Sequence, residues 1–87
     1  MSSNMNIRQE IRRILDHAMA LEGRALAYAD ETPLLGAVPE LDSMAVVAVL
    51  TAIEERFDVL IRDDEIDGAA FSTLGSLVAF VEHKLAE

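Results

Sequence analysis

Residues 39 to 50 read "PELDSMAVVAVL", and the way they fold decides how the rest of the chain is arranged. Pro39 disfavours continuation of any helix before it, and Asp42 or Ser43 can accept the unpaired amide hydrogens of a new first turn. A helix therefore starts here. Val46, Val49, Leu50, Ile53 and Phe57 follow at three-four spacing and make one buried stripe. Met44, Ala45, Val47, Ala48 and Thr51 fall outside that stripe and face away from it, and the helix is predicted to end near Asp58. If Ser43 only starts the helix, the stretch is architecture and the function lies elsewhere; the question is whether this serine caps or carries.

Upstream, Ile7, Ile11, Ile14, Leu15, Ala18 and Leu21 recur at helical spacing, which predicts an amphipathic helix over residues 6 to 21 with Asn6 as its cap. Pro33, Gly36 and Pro39 then punctuate "DETPLLGAVPE", which reads as a long loop whose leucines tuck inward. Downstream, Asp63, Asp64 and Gly68 supply turn chemistry, with one short helical turn expected near Ile66 to Ala70. Ser72 or Thr73 caps a last helix with Leu74, Leu77, Val78, Val81 and Leu85 on its apolar face and Glu82 and Lys84 wet. The expected fold is all-α, a small four-helix bundle with a long first loop and a short third helix, occupying residues 1–87 as one domain.

Composition narrows the chemistry. The chain has 87 residues, 52% hydrophobic, so one small core is all it can build. It has 0 Cys, which excludes a thiolate nucleophile and a cysteine-ligated metal. A net charge of -9 repels a phosphate backbone, so nucleic acid is not an expected partner and basic protein faces are. The acids are concentrated: Glu40, Asp42, Glu54, Glu55, Asp58, Asp63, Asp64, Glu65 and Asp67 face only Arg56 and Arg62 within one segment. The opening residues contain no continuous apolar run and no later stretch reaches spanning length without charge, so neither a secretory signal nor a membrane span is expected. The default location is the cytoplasm.

Three catalytic or metal readings fail on spacing. "DDEIDG" starts like a calcium-binding loop, but the twelfth position, which must supply a bidentate acid, is Leu74. His17 and His83 have no second ligand or nucleophile at motif spacing and read as surface or helix-end residues. Ser43 lacks the flanking glycines and preceding strand of a hydrolase nucleophile, so the chain is not expected to be an enzyme. A phosphate ester on Ser43, by contrast, would suit a helix start, where free amides and the macrodipole favour negative charge. Asp42 beside it would repel such a phosphate, so a partner must read the pair or use the acid for Mg²⁺.

With those residues in view, "ELDSMAVVAVLTAIEERFDVLI" resembles the Asp-Ser-Leu segment and following helix of the acyl carrier protein family, with Met44 in place of the usual leucine. "EERFDVLIRDDE" is similar to the end of that family's second helix and acidic turn, and "STLGSLVAFV" to its last helix. The resemblance implies that Ser43 accepts 4'-phosphopantetheine from coenzyme A through a separate Mg²⁺-dependent phosphopantetheinyl transferase, with Asp42 recognised by the transferase or its Mg²⁺. It also implies an acyl cargo held as a thioester on the arm's terminal thiol, and acyl-activating ligases or synthases as partners. Met44, Val47, Ala48, Thr51, Glu54 and Glu55 become the candidate partner-binding surface of a monomer. Two departures mark this chain: Ala45 and Ala48 stand where the family usually places acids, and the loop before the motif is long and lacks the usual glycine. They suggest a specialised stand-alone carrier, similar to those serving acyl-activating ligases in bacterial polysaccharide or secondary pathways. Two other readings stay open: a carrier of aminoacyl or aryl groups, and a small acidic adaptor that binds a basic partner with no covalent arm.

Overall fold

The structure, a computed structural model, describes residues 6–39, 41–62, 65–66 and 68–86. Three α-helices carry it: α1 (Ile7–Ala18), α2 (Ser43–Phe57) and α3 (Leu74–Ala86), with a 3₁₀ turn (Arg24–Ala27) in the long first loop. The all-helical expectation holds among the described residues, where the only extended pairing is an isolated bridge between Pro33 and Thr73. Among the described residues the four-helix count is not confirmed. Residues 68–71 form turns in place of the expected short third helix, with Phe71 and Ser72 donating to the carbonyls of Gly68 and Ala69; Asp67 lies outside the described residues.

Asn6 accepts from the Gln9 amide at 3.0 Å and caps α1 as its sequence suggests. The helix stops at Ala18, three residues earlier than its apolar spacing predicts. Ala20 and Glu22 adopt positive φ, and the Asp16 carboxylate accepts from the amides of Gly23 and Ala25, turning the chain into the 3₁₀ segment. Asp16 is thus a folding device.

Ile11, Leu15, Leu21, Leu34, Val49, Ile53, Leu74, Leu77 and Val81 are fully buried and make one contiguous core. At roughly 1.5–3 kcal/mol per buried aliphatic side chain, this cluster dominates stabilisation of so small a chain. Val49, Ile53 and Phe57 of the α2 stripe are buried, but Val46 and Leu50 are only partly so. Ala45, expected outside the stripe, is half-buried as well. The difference comes from packing: α1 lies closely against both α2 and α3, while α2 and α3 make far less contact with each other.

The N-terminus of α3 is fixed on every side. Thr73 and Ser76 exchange bonds, Ser76 N donating to Thr73 Oγ1 at 3.1 Å and Thr73 N to Ser76 Oγ at 3.0 Å, a reciprocal cap in which Ser76 takes the place of the usual Glu or Gln. The next two amides reach the long loop, Leu74 N to Thr32 O at 3.0 Å and Gly75 N to Asp30 O at 2.8 Å. A Cβ on Gly75 would lie 3.0 Å from Asp30 O, so any other residue would press the long loop away by a few tenths of an ångström. Leu34 N and Leu35 N continue the seam onto Ser72 O and Phe71 O, both at 2.9 Å. The loop therefore buries Leu34 and Val38 but holds Leu35 at the surface, 47% exposed, contrary to the inward reading of both leucines. Lys84, read as wet, lies almost wholly under the surface and pairs with Glu65, while Leu85 of the expected apolar face is exposed.

Candidate functional site

At the start of α2 the cap is Asp42, whose Oδ1 accepts from the Ala45 amide at 2.8 Å. Ser43 is the first helical residue, exposed, and among the described residues no group hydrogen-bonds to its hydroxyl. The division of labour follows from the extended backbone at Asp42, at φ -100 and ψ -174, which swings its carboxylate back over the first turn. Capping is thereby complete without the serine. The amides of Ser43 and Met44 find no acceptor among the described residues, so the positive end of the α2 dipole is open toward the Ser43 oxygen.

What surrounds this hydroxyl limits what it can do alone. A serine is a weak nucleophile until a base removes its proton, and His17 and His83, on α1 and α3, are both exposed and far along other elements. The site can accept a phosphate ester and can bury none of it. Such a group fits here: among the described residues the oxygen is accessible and uncommitted, and two unpaired amides face the same end of the helix.

Beside Ser43 the exposed face of α2 consists of Met44, Val47, Ala48 and Thr51, with Met44 80% and Val47 63% exposed. Helical spacing continues that face to Glu55, which is exposed. Glu54 is half-buried and accepts from the Ile61 amide at 2.8 Å, holding the chain that leaves α2 through the left-handed Asp58. Of the two acids on this part of α2, one is engaged in the fold and one is free to meet a partner.

One turn along α2 from Ser43, Val46 forms a wall of an apolar cavity of about 260 Å³, open to the surface and lined also by Leu35, Ile66, Gly68 and Phe71. It lies where α2 and the 65–71 connection stand apart. Sequence reasoning missed this cavity; its one trace is Val46, an apolar stripe residue that is only partly covered. Of the acidic turn, Asp63, Asp64 and Asp67 lie outside the described residues, and no cluster of three metal-ligating side chains occurs among the described ones.

A family model described as "Phosphopantetheine attachment site" matches residues 7–81. Among solved structures, the chain is similar to the solution NMR structure of a holo acyl carrier protein from Nitrosomonas europaea, at 49% sequence identity and a TM-score of 0.87, covering 95% of this chain and 100% of that one. No curated protein matches.

Proposed function

Because the chain belongs to the phosphopantetheine-attachment family and is an acyl carrier protein, we propose that Ser43 is its attachment residue and that Asp42 serves as cap and recognition residue at once. The observation that carries this is the exposed, unbonded Ser43 hydroxyl on a helix start already capped by Asp42. The covalent arm brings a terminal thiol that holds acyl groups as thioesters, which accounts for function in a chain with 0 Cys. Attachment forms a phosphoester bond at Ser43 Oγ as the pyrophosphate link of coenzyme A breaks; the hydroxyl proton leaves to a base in the transferase complex, and the adenosine bisphosphate half of coenzyme A departs with the bridging oxygen. The open end of the α2 dipole then stabilises the ester's negative charge. Asp42 keeps one carboxylate oxygen on the Ala45 amide and can present the other to Mg²⁺ in the transferase complex.

The carrier catalyses nothing itself. It hands its cargo to separate enzymes, a phosphopantetheinyl transferase first and acyl-activating ligases or synthases afterwards, and works as a monomeric single domain in the cytoplasm. Among the described residues no helix is long and apolar enough to cross a membrane. Partner enzymes meet Met44, Val47, Ala48 and Thr51 through apolar contact, with Glu55, and to a lesser degree Glu54, orienting the approach. Ala45 and Ala48, at positions where the family usually carries acids, support a specialised carrier reading apolar surface more than charge.

Incubation with coenzyme A, Mg²⁺ and a transferase, followed by peptide mapping, tests the assignment. The expected result is one added arm on the peptide containing Ser43. Modification at Ser72, Ser76 or any other serine, or none at all, refutes it.

A further inference from the structure

Two methionines fall among the described residues, and they are opposites. Met19 is covered by the core, 7% exposed, whereas Met44 is 80% exposed, more than any other large apolar side chain described. The chain has 0 Cys, so before an arm is attached no thiol competes for a mild oxidant and the thioethers are the groups that react. Met44 also has a particular place. It is the second residue of α2, directly after Ser43, and long side chains on a helix lean toward its N-terminus, which carries the thioether over the turn that presents the serine. Val47 and Ala48 follow at three-four spacing, so Met44 is the end of a continuous apolar face nearest the Ser43 oxygen. An enzyme that reaches that oxygen must cover Met44.

We infer that Met44 is an oxidation site through which peroxide-class oxidants slow the enzymes that serve Ser43. This rests on the reading of Ser43 as the attachment residue. In the step, the Met44 sulfur takes one oxygen from the peroxide: the O–O bond breaks, an S–O bond forms, the sulfur gives up two electrons, and the other peroxide oxygen leaves as water with both hydrogens. The product, a sulfoxide, is polar, and covering it with an apolar partner surface that offers no donor costs free energy that covering a thioether does not. The fold is left alone, because Met44 projects into solvent and Asp42 alone caps the helix. Methionine sulfoxide reductases reverse the change. The inhibition is therefore reversible and confined to docking.

The test treats the apo-protein with hydrogen peroxide, removes the peroxide, and follows three readouts on one sample: peptide mass to place the added oxygen, melting, and the rate of arm attachment with coenzyme A, Mg²⁺ and transferase. Oxygen should be found on Met44 before Met19, with melting unchanged. Attachment should slow by about tenfold, since burial of a side chain of this size contributes that much or more to an interface, and should recover after sulfoxide reductase treatment. Met44→Leu, whatever its starting rate, should keep that rate through the same treatment, which separates Met44 from Met1 and Met5. Oxidation of Met19 ahead of Met44, equal rates for oxidised and untreated wild type, or a Met44→Leu variant slowed by peroxide as much as wild type would each overturn the inference and leave the carrier intact. An untreated wild type that accepts no arm would overturn the attachment reading, and this inference with it.

Discussion

The starts of α2 and α3 are close in sequence chemistry and opposite in outcome. "LDSMAV" and "FSTLGSL" each put small oxygen-bearing side chains ahead of an apolar helix, and either would pass for ordinary capping. At α3 the cap and the first turn are consumed: Thr73 and Ser76 cap each other, Thr32 O and Asp30 O take the next amides, and the exposed Ser72 stands ahead of the cap, outside the helix. At α2 a single carboxylate, Asp42, does the capping and the neighbouring hydroxyl is left over. A first turn whose polar groups are all paired is architecture, whereas one that starts on an exposed, uncommitted oxygen, as α2 does at Ser43, can be modified without damage to the fold.

The largest expected effect tests the consumed end. Gly75→Val forces side-chain atoms against Asp30 O, and the strain should destabilise by roughly 1–3 kcal/mol in urea unfolding. A neutral result would mean that the seam between the long loop and α3 is loose. Next, Thr73→Ala and Asp42→Ala should each cost about 1 kcal/mol, as lost caps do. Their unfolding curves should look alike, yet only Asp42→Ala should also slow loading by the transferase. Equal loading of the two variants would remove the recognition role from Asp42.

Much of this contrast could be read from the sequence, and much could not, for a common reason. Local signals held: Asn6 as a cap, the start of α2 beyond Pro39, its end at Asp58, and Thr73 at the head of α3 all depend on residues within a turn of one another. The misread features depend on partners far along the chain. Leu35 is exposed because its amide is held by Phe71, Lys84 is covered because Glu65 draws it in, and α1 stops early because Asp16 reaches forward to Gly23 and Ala25. The short helix read near Ile66 to Ala70 gave way to turns where Phe71 O and Ser72 O accept from the long loop. The proposal of Ser43 as the attachment residue rests on the resemblance, because Asp-Ser spacing alone cannot say which of the two side chains caps.

The same contrast has a pH-dependent side. The Lys84 ammonium and, after it, the Arg62 amide hold the Glu65 carboxyl below its usual range. A carboxyl lowered in the folded state binds its proton more readily in the unfolded chain. Its contribution is therefore complete above the ordinary carboxylate pKa and is lost as pH falls through the lowered one. Glu65→Gln should flatten that acid limb of the stability profile and leave loading at neutral pH unchanged. A limb of unaltered slope would show that other carboxylates govern acid unfolding.

A smaller effect is expected on the exposed face of α2. Val47→Glu should impair acyl loading by a partner ligase more than Glu55→Gln does, with little dependence on salt. The reverse order, with loading that collapses at high salt, would mean that partners read charge here.

The most direct measurement of the central claim is made on Ser43→Ala, by intact mass after incubation with coenzyme A and transferase and by melting on the same sample. Since Asp42 already caps α2, the substitution should change stability by no more than about 0.5 kcal/mol, half or less of what a lost cap costs. Loading should fall from one arm per chain to none. A variant that melts like a cap mutant, or that still acquires the arm, would contradict the assignment of capping to Asp42 and carrying to Ser43.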